Sequence, residues 1–276
     1  MIVFQDVDGC LNTPDGSVLD FSTATLTDQQ EIAFRELGAL LDSSAIASFV
    51  INTGRSWPAT KFICEAINSN KIRYALTGHA SELWDVKANV ALDLLQISDE
   101  LGMHEIREAH KSVARVRDLM SWFHSTGNLL VTSDIGYSGQ ISSLRDKTSN
   151  LTIEVPNGVD GDDLLSSLKA SIANEDQFSG DNFVFHYSRA HGLIDVMGQV
   201  DKGMGVKVIT KFLDGSTADT FAIGDGLNDL SMLQAVNYPI CPANAELEIQ
   251  DLCKAKGHRS DASYIAAVTS WLQSLI

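Results

Sequence analysis

Four segments of this chain, far apart in sequence, each carry an apolar run or linker into a carboxylate, a hydroxyl or a lysine beside a glycine. They are Phe4-Gln5-Asp6-Val7-Asp8-Gly9, Phe49-Val50-Ile51-Asn52-Thr53-Gly54-Arg55, Val200-Asp201-Lys202-Gly203 and Phe221-Ala222-Ile223-Gly224-Asp225-Gly226-Leu227-Asn228-Asp229. Between them lie amphipathic helical patterns. Continuous apolar strands alternating with such helices predict a parallel sheet covered on both faces. In open α/β sheets ligands bind outside the carboxyl ends of the strands, so the four polar ends can meet there.

The alternation is clear in the first part of the chain. Thr27 to Leu41 carries Ile32, Phe34, Leu37, Leu40 and Leu41 at helical spacing, and Thr27 with Gln30 forms a capping-box pattern. Strands are expected at Ile46 to Ile51 and Tyr74 to Leu76, with a helix from Pro58 to Asn68 between them. The middle reads differently. A long amphipathic helix spans His104 to His124, followed by strands at Leu129 to Ser133, Leu151 to Val155 and Phe183 to Tyr187 and a helix from Asp162 to Ile172. That order predicts an antiparallel sheet with helices on one face. The alternating pattern resumes near Gly198. The expected fold class is α/β, a Rossmann-like core with a parallel sheet formed by residues 1–81 and 192–276, plus an inserted α+β domain at 82–191.

Charge and cysteine usage narrow the function classes. The 276 residues carry a formal net charge of −16, which repels nucleic acid and anionic membranes, so neither is an expected partner. A small phosphorylated metabolite is also anionic and would need a local site of metal and cations. No apolar run approaches the roughly 18 residues of a membrane span, and no signal-peptide pattern opens the chain. Cys10, Cys64, Cys241 and Cys253 form no C-x-x-C pair and read as reduced thiols, which sets the expectation of a cytoplasmic protein. The sequon Asn150-Leu151-Thr152 is read as chance. The expected assembly is a monomer or homodimer.

The chemistry follows from residue types. Asp6 and Asp8 point to the same side of an extended strand end. Two carboxylates so close ionise together only with a cation nearby. Mg²⁺ takes oxygen ligands and keeps several waters, so two or three carboxylates suffice, with Asp225 as a further ligand. A carboxylate is a competent nucleophile on phosphorus, and a second one can protonate the leaving alkoxide and then activate water. Lys202, the Thr53 hydroxyl and backbone N–H groups would stabilise the charge on the transferred phosphoryl group.

Asp6-Val7-Asp8-Gly9, Thr53-Gly54-Arg55, Lys202-Gly203 and Gly224-Asp225-Gly226-Leu227-Asn228-Asp229 resemble, in order, motifs one to four of the haloacid dehalogenase superfamily. The inserted region resembles its C2-type cap, of the B variety found in Cof-like and sucrose-phosphatase-like members. The resemblance implies Asp6 as nucleophile and Asp8 as general acid and base. It implies Mg²⁺ held by Asp6, the main-chain carbonyl of Asp8, and Asp225. Thr53, Gly54, Lys202 and Asn228 would bind phosphate, with Asn228 also beside the metal, and Asp229 would orient Lys202 or a metal-bound water. Cys10 departs from the family, which mostly has Thr there, and Gln5 before the nucleophile is also unusual.

Simpler readings stand beside these. Gly224-Asp225-Gly226 with Asp229 is not a dinucleotide fingerprint, because Asp229 would repel a pyrophosphate. Arg55 is either an ion-pair partner of a carboxylate or a substrate contact, and His79 either a structural residue or part of the site. His186, Ser188, Arg189 and His191 form a polar cluster that is either solvated surface or a substrate-selecting group. The expected function is a Mg²⁺-dependent phosphatase of a small phosphorylated metabolite, a sugar phosphate or phosphorylated glycoside. The rivals are a phosphosugar mutase on the same scaffold and a non-catalytic sugar-phosphate-binding protein.

Overall fold

The first strand, β1 (Ile2–Gln5), is buried over its whole length and lies at the centre of the larger sheet. The computed structural model describes residues 1–12, 25–143, 149–189 and 192–276. Further strands are β2 (Ser48–Asn52), β3 (Tyr74–Thr77), β4 (Glu82–Asp85), β5 (Val90–Leu92), β6 (Asn150–Glu154), β7 (Val184–Ser188), β8 (Leu193–Met197), β9 (Thr220–Ile223), β10 (Tyr238–Cys241) and β11 (His258–Arg259). Two units contain them, one of Met1–Met103 with Asp201–Ile276 and one of His104–Val200.

In the first unit, among the described residues, eight strands run in the order β11-β10-β9-β1-β2-β3-β4-β5. From β11 to β3 every pairing is parallel, and β4 and β5 add as an antiparallel hairpin edge. The residues of β1, β2 and β3 are buried throughout, as expected of strands covered on both faces. Register sets up the site: Gln5 stands level with Ile51 on one side and Ile223 on the other. Asp6 and Gly224 therefore leave the sheet at one edge, level with Asn52, the last residue of β2.

The covering helices start where the sequence signals them. Helix Asp28–Ser43 begins at Thr27, whose side chain accepts from the Gln30 N–H while the Gln30 side chain accepts from the Thr27 N–H. Helix Trp57–Ile67 has Pro58 in its first turn and ends at Asn68 in the left-handed region.

The second unit holds a three-stranded antiparallel sheet, β6-β8-β7, among its described residues. Its core joins Leu119, Phe123, Leu151, Ile153, Leu164, Leu168, Ile194 and Val196. Helices His104–Trp122 and Gly161–Ala173 supply part of that core. Asn150 of the sequon is fully buried, which leaves no room for a glycan.

Two expectations need correction. The strand expected at Leu129 to Ser133 is a helix, Asn128–Asp134, reached from His104–Trp122 through a π-helical turn at Phe123–Gly127. Leu129 and Leu130 are exposed, whereas Asn128, Val131 and Thr132 are buried, a spacing of three to four rather than two. The short apolar run alone could not separate the two. The boundaries also differ from 82 and 191. Leu83 is fully buried in β4, which pairs with β3, so residues 82–103 belong to the first unit. At the other end, β8 is the central strand of the smaller sheet, so the second unit runs on to Val200.

Candidate active site at the strand ends

Asp6 leaves β1 with its N–H donating to the Ile223 carbonyl at 3.0 Å, so its position is fixed by the neighbouring strand. The chain then turns tightly, with the Cys10 and Leu11 N–H groups both donating to the Val7 carbonyl. Gly9 has φ +75°, and a Cβ there would stand 1.9 Å from Oδ2 of Asp225. Only glycine fits, and it forms a cradle against which the Asp225 carboxylate lies. Asn12 Oδ1 accepts the Gly9 N–H at 3.1 Å, and Asn244 Nδ2 donates to the Gly9 carbonyl at 2.9 Å.

Lys202 opens helix Lys202–Phe212, capped by Asp201, whose carboxylate accepts the Met204 N–H at 2.8 Å. The Lys202 side chain is fully buried; its Nζ donates to Asp6 Oδ1 at 2.5 Å and to Asp229 Oδ1 at 2.6 Å. The other Asp229 oxygen accepts the N–H groups of Asp225 at 3.0 Å and Gly226 at 3.2 Å. Asp229 thus holds the ammonium and shapes the loop that presents Asp225. Asn52 Nδ2 donates to the Lys202 carbonyl at 3.0 Å and ties β2 to the same helix.

These groups carry more negative than positive charge out of water. Burial, then the Asp229 charge, push the Asp6 carboxyl up to about 7, against the pull of Lys202. Burial, then Asp6 and Asp229, push Asp225 up to about 9. Burial works against the Lys202 ammonium, but Asp229 and Asp6 more than offset it and hold the proton on more tightly. Burial first and Asp225 second raise the Cys10 thiol well above its ordinary value. Donor atoms of Asp6, Cys10 and Asp225 lie within 4.8 Å of one another. Two carboxylates that resist ionisation together, one of them seated on a glycine cradle, suit a divalent cation.

Asp8 stands apart from this buried cluster, with its side chain 40% exposed. Arg55 grips it with both arms of the guanidinium, Nε to Oδ2 at 2.9 Å and Nη2 to Oδ1. Arg55 is thus an ion-pair partner of a carboxylate. Thr53 is fully buried; its N–H donates to the Leu76 carbonyl and its hydroxyl oxygen accepts the Arg55 N–H at 3.2 Å. Gly54 lies under the His79 ring, where a Cβ would meet Nε2 at 2.5 Å. His79 is buried, has φ +56° and donates its N–H to the Thr53 carbonyl, so it braces the Thr53-Gly54-Arg55 loop.

Asn228 is half-buried on the short 3₁₀ turn Leu227–Asp229. Sequence reading missed two residues that hold this loop. Glu246 accepts the Leu227 N–H at 3.1 Å and donates its own N–H to the Asp225 carbonyl at 2.8 Å; Asn244 bridges Gly9 to the Tyr264 N–H. Neither sits in a motif, and only the spatial approach of their loops reveals them. His186 and Ser188 lie half-buried on β7 of the second unit. Arg189 there is exposed, pairs with Asp162 at 2.7 Å and lies 5.1 Å over the Tyr187 ring. His191 lies outside the described residues.

The model of the haloacid dehalogenase-like hydrolases matches residues 3–266. The chain belongs to that family. A Metamycoplasma hominis protein named only as a candidate phosphatase of the upp 3′ region is 26% identical over 251 residues, 84% of each chain. Among solved structures, sucrose-phosphatase from Synechocystis sp. PCC6803, in complex with sucrose and phosphate, aligns with TM-score 0.63 at 16% identity over 100% of this chain and 97% of that one. A Thermoplasma acidophilum protein aligns with TM-score 0.64 at 15% identity over 99% and 97%. At such identities the structural likeness speaks for the fold, a hydrolase core with a Cof-type inserted unit.

Proposed function

We propose that this hydrolase is a Mg²⁺-dependent phosphatase of a small phosphorylated metabolite, a sugar phosphate or phosphorylated glycoside, acting through an aspartyl-phosphate on Asp6. One observation carries the reading: Asp6 is buried and fixed by Lys202, while a second carboxylate, Asp8, stands two residues on, partly exposed and held separately by Arg55. Two carboxylates in different environments suit two different roles.

An Asp6 carboxylate oxygen attacks phosphorus, and the bond to the ester oxygen breaks. Asp8 gives its proton to the departing alkoxide. Water then attacks the phosphoryl group, giving its proton back to Asp8, and Asp6 leaves as a carboxylate. Lys202, Thr53, the Gly54 backbone and Asn228 receive the phosphoryl oxygens. Asp229 keeps the ammonium of Lys202 aimed at Asp6. Asp6, the Asp8 carbonyl and Asp225 would hold Mg²⁺, which when bound neutralises the phosphoryl charge.

The phosphatase reading is supported by the Metamycoplasma hominis relative, and the sugar-phosphate reading by the likeness to sucrose-phosphatase. We assign substrate selection to residues of the second unit, with His186, Ser188 and Arg189 as candidates. We also place the enzyme in the cytoplasm, in keeping with its four free cysteines; among the described residues no helix is long and apolar enough to cross a membrane. The test is phosphate release from a panel of phosphorylated sugars, glycosides and small metabolites, with Mg²⁺ and with chelator. Metal-dependent release concentrated on one substrate is expected. Transfer of phosphate between two hydroxyls of one sugar would instead identify a mutase, and no turnover of any kind a binding protein.

A further inference from the structure

We propose that Cys10 turns the cation site of this chain into a mixed oxygen–sulfur site, which takes a thiophilic divalent cation of the Zn²⁺ class in competition with Mg²⁺. The inference rests on the reading of Asp6 and Asp225 as metal ligands and adds the thiolate of Cys10 as a third side-chain ligand.

Geometry carries it. Cys10 Sγ lies 3.7 Å from Asp225 Oδ1, and the nearest donor atoms of Asp6, Cys10 and Asp225 all fall within 4.8 Å of one another. A tetrahedral Zn²⁺ binds sulfur at about 2.3 Å and carboxylate oxygen at about 2.1 Å, which sets two such ligands about 3.6 Å apart. The observed separation matches the tetrahedral pair. The thiol is also placed rather than merely nearby. The Cys10 N–H is tied to the Val7 carbonyl at 3.2 Å, and the preceding Gly9 is the cradle on which Asp225 rests.

Donor chemistry decides the cation. A thiolate adds little affinity for Mg²⁺ and much for Zn²⁺, Cd²⁺ or Co²⁺. Binding exchanges the thiol proton for the metal: the S–H bond breaks, a sulfur–metal bond forms, and the proton goes to solvent. No oxidant or reductant is needed. A Zn²⁺ held on Asp6, Cys10 and Asp225 takes the place of the Mg²⁺ that the same carboxylates would hold, so the site carries its own inhibition by thiophilic metal.

The test uses Co²⁺ as a spectroscopic probe on the full chain. The metal-free protein titrated with Co²⁺ is expected to show a near-ultraviolet sulfur-to-cobalt band at one equivalent, displaced by Zn²⁺. Cys10→Ser is expected to lose that band. Its Zn²⁺ affinity, measured against a chromophoric chelator, should fall by at least the roughly 10–100-fold that loss of a supporting outer partner costs. If Cys10→Ser does not fold, Asp225→Asn serves, since a band arising from Cys241 and Cys253, whose thiols are hydrogen-bonded to each other, would survive it. A band unchanged in the variants, or no band while Mg²⁺ still supports phosphate release, overturns the role of Cys10 alone. In that case the Sγ–Asp225 contact is only a weak hydrogen bond. Failure to bind any divalent cation overturns the metal site as well.

Discussion

Replacing Lys202 with methionine tests how the buried charges are balanced. The side chain is fully buried between Asp6 and Asp229, at 2.5 and 2.6 Å, so the change keeps its length and apolar bulk but strands two carboxylates. Removing one partner of a buried ion pair costs about 3–5 kcal/mol, because the remaining charge is left uncompensated. In a unit of this size 1 kcal/mol moves the melting midpoint by about 2–4 °C, so Lys202→Met should melt about 6–20 °C below the wild type at pH 8 without metal. Two controls make the reasoning specific. The deficit should shrink at pH 5, where the stranded Asp6, raised by burial, takes up a proton. It should also shrink in Lys202→Met with Asp229→Asn, which leaves only Asp6 charged. Thermal unfolding followed by circular dichroism reads all of these. A deficit equal at pH 5 and pH 8 and unrelieved in the double variant would refute the charge argument and point to lost packing.

Other outcomes follow from the same geometry. Asp6 is raised to about 7 and Asp225 to about 9, so the metal-free fold binds more protons than the unfolded chain between about pH 4 and 9. Its stability therefore falls as pH rises through that window, and the rise in melting temperature given by Mg²⁺ should be larger at pH 8 than at pH 6. Gly9→Ala places a Cβ 1.9 Å from Asp225 Oδ2 at φ +75°, and calorimetric titration should show Mg²⁺ affinity lost or strongly reduced. Thr27→Ala removes the cap on helix Asp28–Ser43 and should cost about 1 kcal/mol in urea unfolding without changing activity.

The cluster around Asp6 was legible because its signals are local. A buried apolar strand ending in a carboxylate or hydroxyl beside glycine places Asp6, Thr53 and Asp225 at one sheet edge, whatever the loops do later. The bonds among them were less legible. Nothing in the sequence says that Arg55 rather than Lys202 grips Asp8, since that depends on how the Thr53-Gly54-Arg55 loop is braced by His79. Cys10 read only as a reduced thiol where the family mostly has Thr, until the fold set it against Asp225. In the second unit, Leu129-Leu130-Val131 is too short to reveal its period, and packing through Val131 and Asn128 decided for helix. The β4–β5 hairpin was missed because its edge strand β5, Val90–Leu92, is short and mostly exposed. β8 was assigned to the wrong unit because its partners β6 and β7 are known only from pairing.

The central claim is that phosphate passes through Asp6. Its most direct measurement is chemical trapping: turnover with Mg²⁺ and a cleaved substrate, an acid quench, borohydride reduction and peptide mass spectrometry. An aspartyl-phosphate is reduced to homoserine, so homoserine is expected at position 6, only when substrate and metal are both present, and not in Asp6→Asn. Phosphate release that leaves position 6 unmodified, or that continues undiminished in Asp6→Asn, would contradict the account.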